Sequence, residues 1–467
     1  MLPDLRFEPE ETALLTDFYE LTMAASYFAT GYNDTACFSL MTRRMPPRRG
    51  FLVAAGLERF LEALEDLRFD QSAIDYLGSL GIFAADFLDF LSHLRFTGQV
   101  RAVPEGTIFF AEEPIVEVRA PLIEAQLAET LALNQIGIAS LIASKAARSL
   151  AVANGRRLID FGLRRSQGAD AGLIAARSSY LAGFNGSSNV LAGKRYGIPL
   201  YGTMAHSYVM AHDREREAFD NFVRTFPRLS TLLVDTYDTV RGVENAAATA
   251  RELKQTGTTL MGIRLDSGNL LELSRKSRKI LDEHGLNDVS IFASGNIDEY
   301  RIQELVAAGA PIDAFGVGTA MVVSQDAPAL DVAYKLSEYN GKARLKTSEN
   351  KLSLPGRKQV FRAYNRIGGF YTDLIGLEEE GIASVNAEFS PSPAETVMLL
   401  EHQMEGGRRL MPRPTLANAR ERFLRDFAVL DGRFKDLERP SVYPVRNTAA
   451  LNALLISEKI RAEGRQD

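Results

Sequence analysis

The 467-residue sequence holds five histidines, and one of them, His206, closely follows a small-residue turn, Gly202-Thr203, in the stretch YGTMAHSYVMAH. A neutral imidazole nitrogen is nucleophilic near neutral pH, so a histidine in a binding site can accept a transferred group. Other chemistry-bearing residues recur at comparable places, at the end of short apolar runs. Asp160, Arg164 and Arg165 come after RRLI, and Thr203 with His206 after IPLY. Asp235 and Asp238 end LSTLLV, while Arg264, Asp266 and Ser267 end TLMGI. Ser294 and Gly295 close VSIFA, and Gly316, Gly318 and Thr319 close IDAF. Arginines and turn amides bind phosphate oxygens. Carboxylates hold Mg²⁺ or stabilise positive charge. Taken singly, each residue has a plainer use. Asp160 or Asp235 could cap a helix, Arg264 and Asp266 could form a surface ion pair of little value, and His206 could be a packed histidine satisfied locally. Together they point to a small anion carrying several phosphates, bound with Mg²⁺. Residue chemistry alone does not name a reaction.

These residues need a scaffold that gathers them. Each apolar run is short and rich in β-branched or aromatic residues, and most lead through a polar or glycine turn into a segment of helical periodicity. The alternation begins at RRLIDFG, passes through IPLYGTMA, LSTLLVDTY, TLMGIRLDSG and VSIFASG, and ends at IDAFGVGT. Asn269 and Asn296 can cap the segments that they begin, and Gly257, Gly285 and Gly309 punctuate helix ends. Continuous apolar strands alternating with helices imply a parallel sheet covered by helices. Ligands of such sheets sit beyond the C-terminal ends of the strands. The expected fold is therefore α/β, with six such units able to close, with a neighbour or two, into an α/β barrel over 126–329; an open doubly wound sheet is the competitor. The β-rich flanks are expected to pair into a second domain, residues 1–125 completed by segments from 330–400, where VAYKLSEYNGKARLKTS reads as a hairpin about Asn340-Gly341. Residues 400–467 read as mostly helical, with a frayed end.

The bulk composition narrows the partners. Hydrophobic residues make up 46% and charged residues 24%, with a formal net charge of −6. That balance gives no reason to expect nucleic acid. The single cysteine, Cys37, excludes an intramolecular disulfide and fits a reducing, cytoplasmic setting. The acidic start MLPDLRFEPEETALL lacks an apolar signal core. No membrane span is expected, because IGIASLIASKAARSLAVANG is interrupted by Lys145 and Arg148 and reads as a buried helix.

The stretches LLTDFYELTMA, DFGLRRSQG, GFNGSSNVLAG, GTMAHSYVMAH, LLVDTYDT, GIRLDSGNL and FGVGTAMV resemble, in order, those of the nicotinate phosphoribosyltransferase family. The resemblance covers most of the chain, and DFGLRRSQG with GTMAHSYVMAH carries most of its specificity. It implies transfer of phosphoribosyl from phosphoribosyl pyrophosphate to nicotinate, giving nicotinate mononucleotide and pyrophosphate, coupled to ATP hydrolysis. It implies an irregular α/β barrel beside an N-terminal α/β domain, and a homodimer with active sites near the interface. By the same resemblance His206 is the histidine phosphorylated by ATP; His212, six residues on within the helix pattern, reads as a partly exposed helix histidine. Tyr19 matches a tyrosine that stacks on the pyridine ring from the neighbouring subunit. Arg164, Thr203 and Arg264 match positions lining the nicotinate and phosphoribosyl site, with Arg165 in the same motif. Asp235 and Asp266 match carboxylates near the ribose and pyrophosphate that could hold Mg²⁺. Gly295, Gly318 and Thr319 match turns that receive the 5-phosphate through backbone amides.

The match departs from the commonest family form at Asn269 and Asn296, where many members carry aspartate. A metal or charge role at those two positions is not carried over. The related nicotinamide phosphoribosyltransferases have an aspartate where GFNGSSNVLAG places Ser188. A carboxylate there would accept from an amide but repel nicotinate, so Ser188 favours the acid. Quinolinate phosphoribosyltransferase is expected to be shorter and to lack the ATP-phosphorylated histidine. A phosphate-binding barrel of another chemistry, or a metabolite sensor, stays open; no strand end carries a Schiff-base lysine.

Overall fold

A computed structural model describes residues 9–255, 257–347 and 353–463. The acidic stretch before residue 9 and the last four residues, expected to fray, lie outside this range. The chain divides into two compact units, one of residues 142–328 and one of 1–141 together with 329–467. The expected barrel start at 126 thus falls inside the 32-residue helix Leu122–Ala153, which spans the dividing point. That helix is long and apolar enough to cross a membrane, but 78% of its most apolar window is buried in the protein. It is a core helix, as its interruption by Lys145 and Arg148 suggests.

Unit 142–328 is built on six parallel strands: Arg157–Asp160, Gly186–Ser187, Thr231–Leu233, Gly262–Leu265, Ser290–Ala293 and Ala314–Val317. Numbered along the chain, they lie in the order 2-1-6-5-4-3. This is a cyclic succession cut once, between the second and third strands, and so a curled half-barrel. Leu158, Ile263, Ile291 and Phe315 are all 0% exposed, as expected of strands covered on both faces. The expected strand at IPLY is reduced to a single bridge between Leu200 and Ser187. Pro199 has no N–H to give a ladder, and the place is taken by Gly186–Ser187. A Cβ on Gly186 would lie 2.3 Å from the Pro199 carbonyl, so only glycine admits this close approach.

The helices follow their caps. Asn269 accepts from the Glu272 amide and caps Leu270–Glu283 as expected. Asn296 does not cap. Asp298 takes that role at Glu299–Ala307, while Asn296 sits at φ 52, a left-handed position that asparagine tolerates. Asp238 caps the helix that follows it through the Arg241 amide. The helix expected after His206 is broken into His206–Met210 and Glu215–Thr225.

In the other unit, seven strands form an antiparallel sheet centred on Thr35–Thr42, Pro114–Pro121 and Val332–Tyr339. The Asn340-Gly341 turn has positive φ at both residues, 51° and 66°, the geometry of a tight two-residue hairpin. A second sheet, Glu395–Met398, Lys358–Tyr364, Phe370–Leu377 and Val445–Asn447, completes it. Residues 400–463 are mixed: the strand Glu401–Glu405 joins the large sheet, and the helices Leu416–Val429 and Ala449–Glu463 follow.

Candidate functional site

The C-terminal ends of the parallel strands form one mouth, and Arg264 is its hub. Its Nε donates to Ser294 Oγ at 2.8 Å, Nη1 to Thr203 Oγ1 at 3.0 Å, and Nη2 to Asp266 Oδ1 at 2.7 Å. The guanidinium also lies 5.4 Å from the centroid of Phe161. One planar fork thus ties three strand ends to an aromatic ring, a task suited to arginine and not to lysine.

Asp266 is the second node. Its Oδ1 accepts from Ser294 Oγ at 2.5 Å as well as from Arg264. Its Oδ2 lies 3.9 Å from His206 Nε2. Burial acts to raise the pKa of this carboxyl. The Ser294 hydrogen bond, the Arg264 cation and its hydrogen bond, and His206 outweigh burial, so the net shift is downward. His206 starts its short helix with a side chain 41% exposed, and its Nδ1 is 3.2 Å from Thr236 Oγ1. With Nδ1 engaged, Nε2 is the nitrogen turned towards the Asp266 side. His212 is satisfied locally, its Nδ1 donating to the Tyr208 carbonyl at 2.9 Å.

Asp235 supports the next loop. Its Oδ2 accepts from the Asp266 amide at 2.9 Å and from Ser267 Oγ at 2.6 Å. Its Oδ1 is buried without a hydrogen-bond partner, which is costly unless a ligand satisfies it. No group of three or more His, Cys, Asp or Glu side chains among the described residues could hold a metal ion. Two carboxylates still suit Mg²⁺, which keeps waters and substrate phosphate oxygens as its other ligands. The orphaned Asp235 Oδ1 fits that role.

The glycines are there for close approach. Gly295 has φ +85, and a Cβ on it would sit 1.8 Å from the Asp266 carbonyl oxygen. Gly318 and Thr319 leave the neighbouring strand, where Thr319 opens the short helix Thr319–Val322. Gly162 faces Val322 so closely that a Cβ would come within 1.9 Å of it. Asp160 is buried and accepts from the Gly162 amide at 2.8 Å and from Ser187 Oγ at 2.7 Å. Burial pushes its carboxyl upward. Asp160 therefore fixes the turn that carries Arg164 and the loop that carries Ser188. Ser188 is held by its amide to the Asp160 carbonyl at 2.9 Å. Arg164 and Arg165 are exposed in the turn Leu163–Arg165, and neither has an ion pair among the described residues. A cavity of about 120 Å³ is lined by Phe161, Phe292, Tyr201 and Thr203 and also by the opening residues of five of the strands, Arg157 and Ala314 among them, so it extends toward the strand ends opposite the mouth.

Seven of the expected residues thus gather through direct or shared contacts: Thr203, His206, Asp235, Arg264, Asp266, Ser294 and Gly295. Gly318, Thr319, Ser188 and Arg164 stand on adjoining strand ends. Tyr19 belongs to the other unit. It lies in the helix Phe18–Thr30, is 47% exposed, and has its phenol pushed up to about 12 by partial burial and by Glu129, Glu20 and Asp17. Phe161 and Thr236 went unnoticed in the sequence. Their signal was position, since both abut a strand-end aspartate, in DFG and DTYD.

The sequence matches three family models in succession. They are the nicotinate phosphoribosyltransferase (NAPRTase) N-terminal domain over residues 14–137, the nicotinate phosphoribosyltransferase (NAPRTase) family over 156–351, and the nicotinate phosphoribosyltransferase C-terminal domain over 357–455. Nicotinate phosphoribosyltransferase pncB2 of Mycobacterium tuberculosis is 48% identical, over 93% of this chain and 91% of its own. The nicotinate phosphoribosyltransferase of Bacillus subtilis is 37% identical, over 94% and 93%. The crystal structure of human nicotinic acid phosphoribosyltransferase superposes with a TM-score of 0.84 at 31% identity, over 95% of this chain and 99% of that one.

Proposed function

Because the chain belongs to the nicotinate phosphoribosyltransferase family, we propose that the mouth organised by Arg264 is where its reaction takes place. The enzyme transfers phosphoribosyl from phosphoribosyl pyrophosphate to nicotinate, in NAD biosynthesis. The observation that carries the site assignment is the shared carboxylate. Asp266 receives Arg264 on one oxygen and faces His206 on the other.

In this reading the 5-phosphate sits on the turns at Gly295 and at Gly318-Thr319, which leave adjacent parallel strands. Arg164, exposed and without an ion pair among the described residues, faces the anionic substrates, with Arg165 beside it. The pyridine ring rests against Phe161, and Thr203 and Arg264 fix its approach. Pyrophosphate leaves C1 of the ribose as the ring nitrogen attacks, through a transition state of oxocarbenium character. Placement of the ring nitrogen opposite the leaving group and neutralisation of pyrophosphate supply the rate. Asp235 and Asp266 would hold Mg²⁺, which supplies charge neutralisation for the pyrophosphate when bound. Ser188, lacking a carboxylate, leaves room for the negative charge of the acid substrate.

His206 serves ATP coupling. Its Nε2 attacks the γ-phosphorus of ATP, forming an N–P bond as the bond to the bridging oxygen breaks and ADP leaves, with Nδ1 oriented by Thr236; water later takes the phosphate off the ring. A phosphate on that ring adds negative charge next to Asp266 and Arg264, and so changes how the mouth holds phosphoribosyl pyrophosphate. The working form is a cytoplasmic homodimer in which Tyr19 of one chain stacks on the ring bound by the other. The large exposed side chains of Val190 (70%), Met210 (64%) and Tyr237 (66%), on segments that carry Ser188, His206 and Asp235, support such a contact. The test is pyrophosphate release from nicotinate and phosphoribosyl pyrophosphate, with and without ATP. Wild-type enzyme should be stimulated by ATP, and His206→Ala should keep only the unstimulated rate. Full ATP stimulation in His206→Ala would overturn the histidine's role.

A further inference from the structure

A buried ion cluster shares no residue with the mouth described above. Lys145, on the helix Leu122–Ala153, has a side chain only 3% exposed. Its Nζ donates to Glu299 Oε1 at 2.6 Å and to Asp326 Oδ1 at 2.7 Å. Arg148, three residues along the same helix face, donates Nε to the same Glu299 oxygen at 2.8 Å and Nη2 to Tyr300 Oη at 2.8 Å. Glu299 is 1% exposed at its side chain and Asp326 26%.

The positions of the two carboxylates in the chain are informative. Glu299 opens the helix that follows the Gly295 turn, immediately after its cap Asp298. Asp326 ends the segment that follows the Gly318-Thr319 turn. That segment folds back on itself, with the Gln325 amide donating to the Ala320 carbonyl at 3.1 Å and Ala327 to Ser324 at 2.8 Å. The strands feeding the two turns, Ser290–Ala293 and Ala314–Val317, are direct neighbours in the sheet. Each phosphate-facing turn is thus anchored, just downstream, to one and the same ammonium.

We propose that Lys145 is a positioning residue for phosphoribosyl pyrophosphate, a single buried cation that sets the spacing of the two turns receiving its 5-phosphate. The proposal rests on the assignment of those turns given above. Buried ion pairs often add little net stability over apolar residues of similar size, so a cluster of this kind is better explained by geometry. Lysine suits the task because its ammonium is a compact point charge able to hold two carboxylates from different directions. Without it, Glu299 keeps Arg148 but Asp326 loses this link, and the two turns can drift independently. A misplacement on the order of 1 Å in a positioned site is enough to cost roughly 100-fold. The loss should fall on the phosphorylated substrate and spare the ring.

The test uses the purified full chain and three variants: Asp326→Ala, which cuts one arm at a partly exposed carboxylate, Asp326→Glu, which keeps the charge, and Lys145→Met. KM for phosphoribosyl pyrophosphate, KM for nicotinate, kcat and Tm are measured for each. Asp326→Ala should raise KM for phosphoribosyl pyrophosphate by about tenfold while KM for nicotinate and kcat stay within about twofold, and Asp326→Glu should recover most of the loss. Lys145→Met should show the same split more strongly; if it does not fold, Asp326→Ala decides. An unchanged KM for phosphoribosyl pyrophosphate, equal rises in both KM values, or a lower Tm with unchanged kinetics would overturn the proposal. If wild-type enzyme released no pyrophosphate, the assignment of the activity would fail. The melting shift produced by phosphoribosyl pyrophosphate, expected to be smaller in Asp326→Ala than in wild type, would then decide the role of Lys145.

Discussion

Gly295→Ala offers a sharp perturbation, because the structure fixes what the added methyl meets. The new Cβ would sit 1.8 Å from the Asp266 carbonyl oxygen and 2.9 Å from its carbon, both backbone atoms that cannot rotate aside. Ordinary contact begins near 3.4 Å, so the turn and Asp266 must part by roughly 1.6 Å (3.4 − 1.8). The backbone at φ +85 adds about 1–2 kcal/mol for any residue with a Cβ. Steric displacement brings the total to about 3 kcal/mol or more. The functional cost is larger, since Asp266 carries both Arg264 and the Asp235 contact. A shift on the order of 1 Å in such a site costs roughly 100-fold. The control is Gly285→Ala, at φ +69 with nothing within 4 Å, which carries the backbone cost alone. Pyrophosphate-release kinetics and thermal melting on both variants separate the effects. Gly295→Ala should lose at least about 100-fold in kcat/KM and melt well below Gly285→Ala, which should keep near wild-type turnover. The reasoning is refuted if the two variants are equally active and equally stable.

Three further outcomes are expected. Glu20 is fully buried and accepts from Thr16 and Thr130; burial outweighs those hydroxyls and raises its pKa from 4.5 to about 7. Such a group contributes stability that is complete below pH ~4.5 and lost as pH rises through about 7, on the order of 3 kcal/mol. Glu20→Gln should therefore melt near wild type at pH 5 and above it at pH 8, as calorimetry at the two pH values would show. Ser188→Asp should lower kcat/KM for nicotinate by at least about tenfold by charge repulsion and narrow the gap to nicotinamide, measured by parallel turnover of the two substrates. Asp235→Asn should raise the Mg²⁺ concentration needed for half-maximal rate, because it removes the charge behind the buried, unpartnered Asp235 Oδ1; a titration of Mg²⁺ against rate checks it.

Much of the half-barrel was legible because a parallel sheet buried on both faces leaves apolar runs such as TLLV and SIFA, each ended by polar or glycine residues. The same logic placed Thr203, His206, Asp235, Arg264 and Asp266 at one end of one sheet. It went astray where local pattern and tertiary contact disagree. IPLY looks like a strand, yet Pro199 cannot donate, and Gly186–Ser187 pairs in its place. Asn296 looks like a cap, yet the close approach of Gly295 to Asp266 draws it into a left-handed turn and leaves capping to Asp298. The helix Leu122–Ala153 carries no boundary signal at residue 141, because a continuous helix can serve two compact units. Phe161 meets Arg264 and Phe292, 103 and 131 residues further along the chain, and Thr236 meets His206, 30 residues before it; spacing along the chain does not reveal such pairs. Asp160 and Asp238 show the opposite case. They resemble site carboxylates in the sequence, while one holds Gly162 and Ser187 in place and the other caps a helix.

The steady-state rate of pyrophosphate release by Arg264→Lys most directly probes whether one guanidinium assembles the reacting centre. Arg264 reaches Ser294, Thr203 and Asp266 from three separate nitrogens of a rigid fork, and a lysine has one nitrogen and no fork to fill those positions, so kcat/KM should fall by at least about 100-fold while the protein remains folded. A folded Arg264→Lys enzyme turning over nicotinate within twofold of wild type would contradict the account.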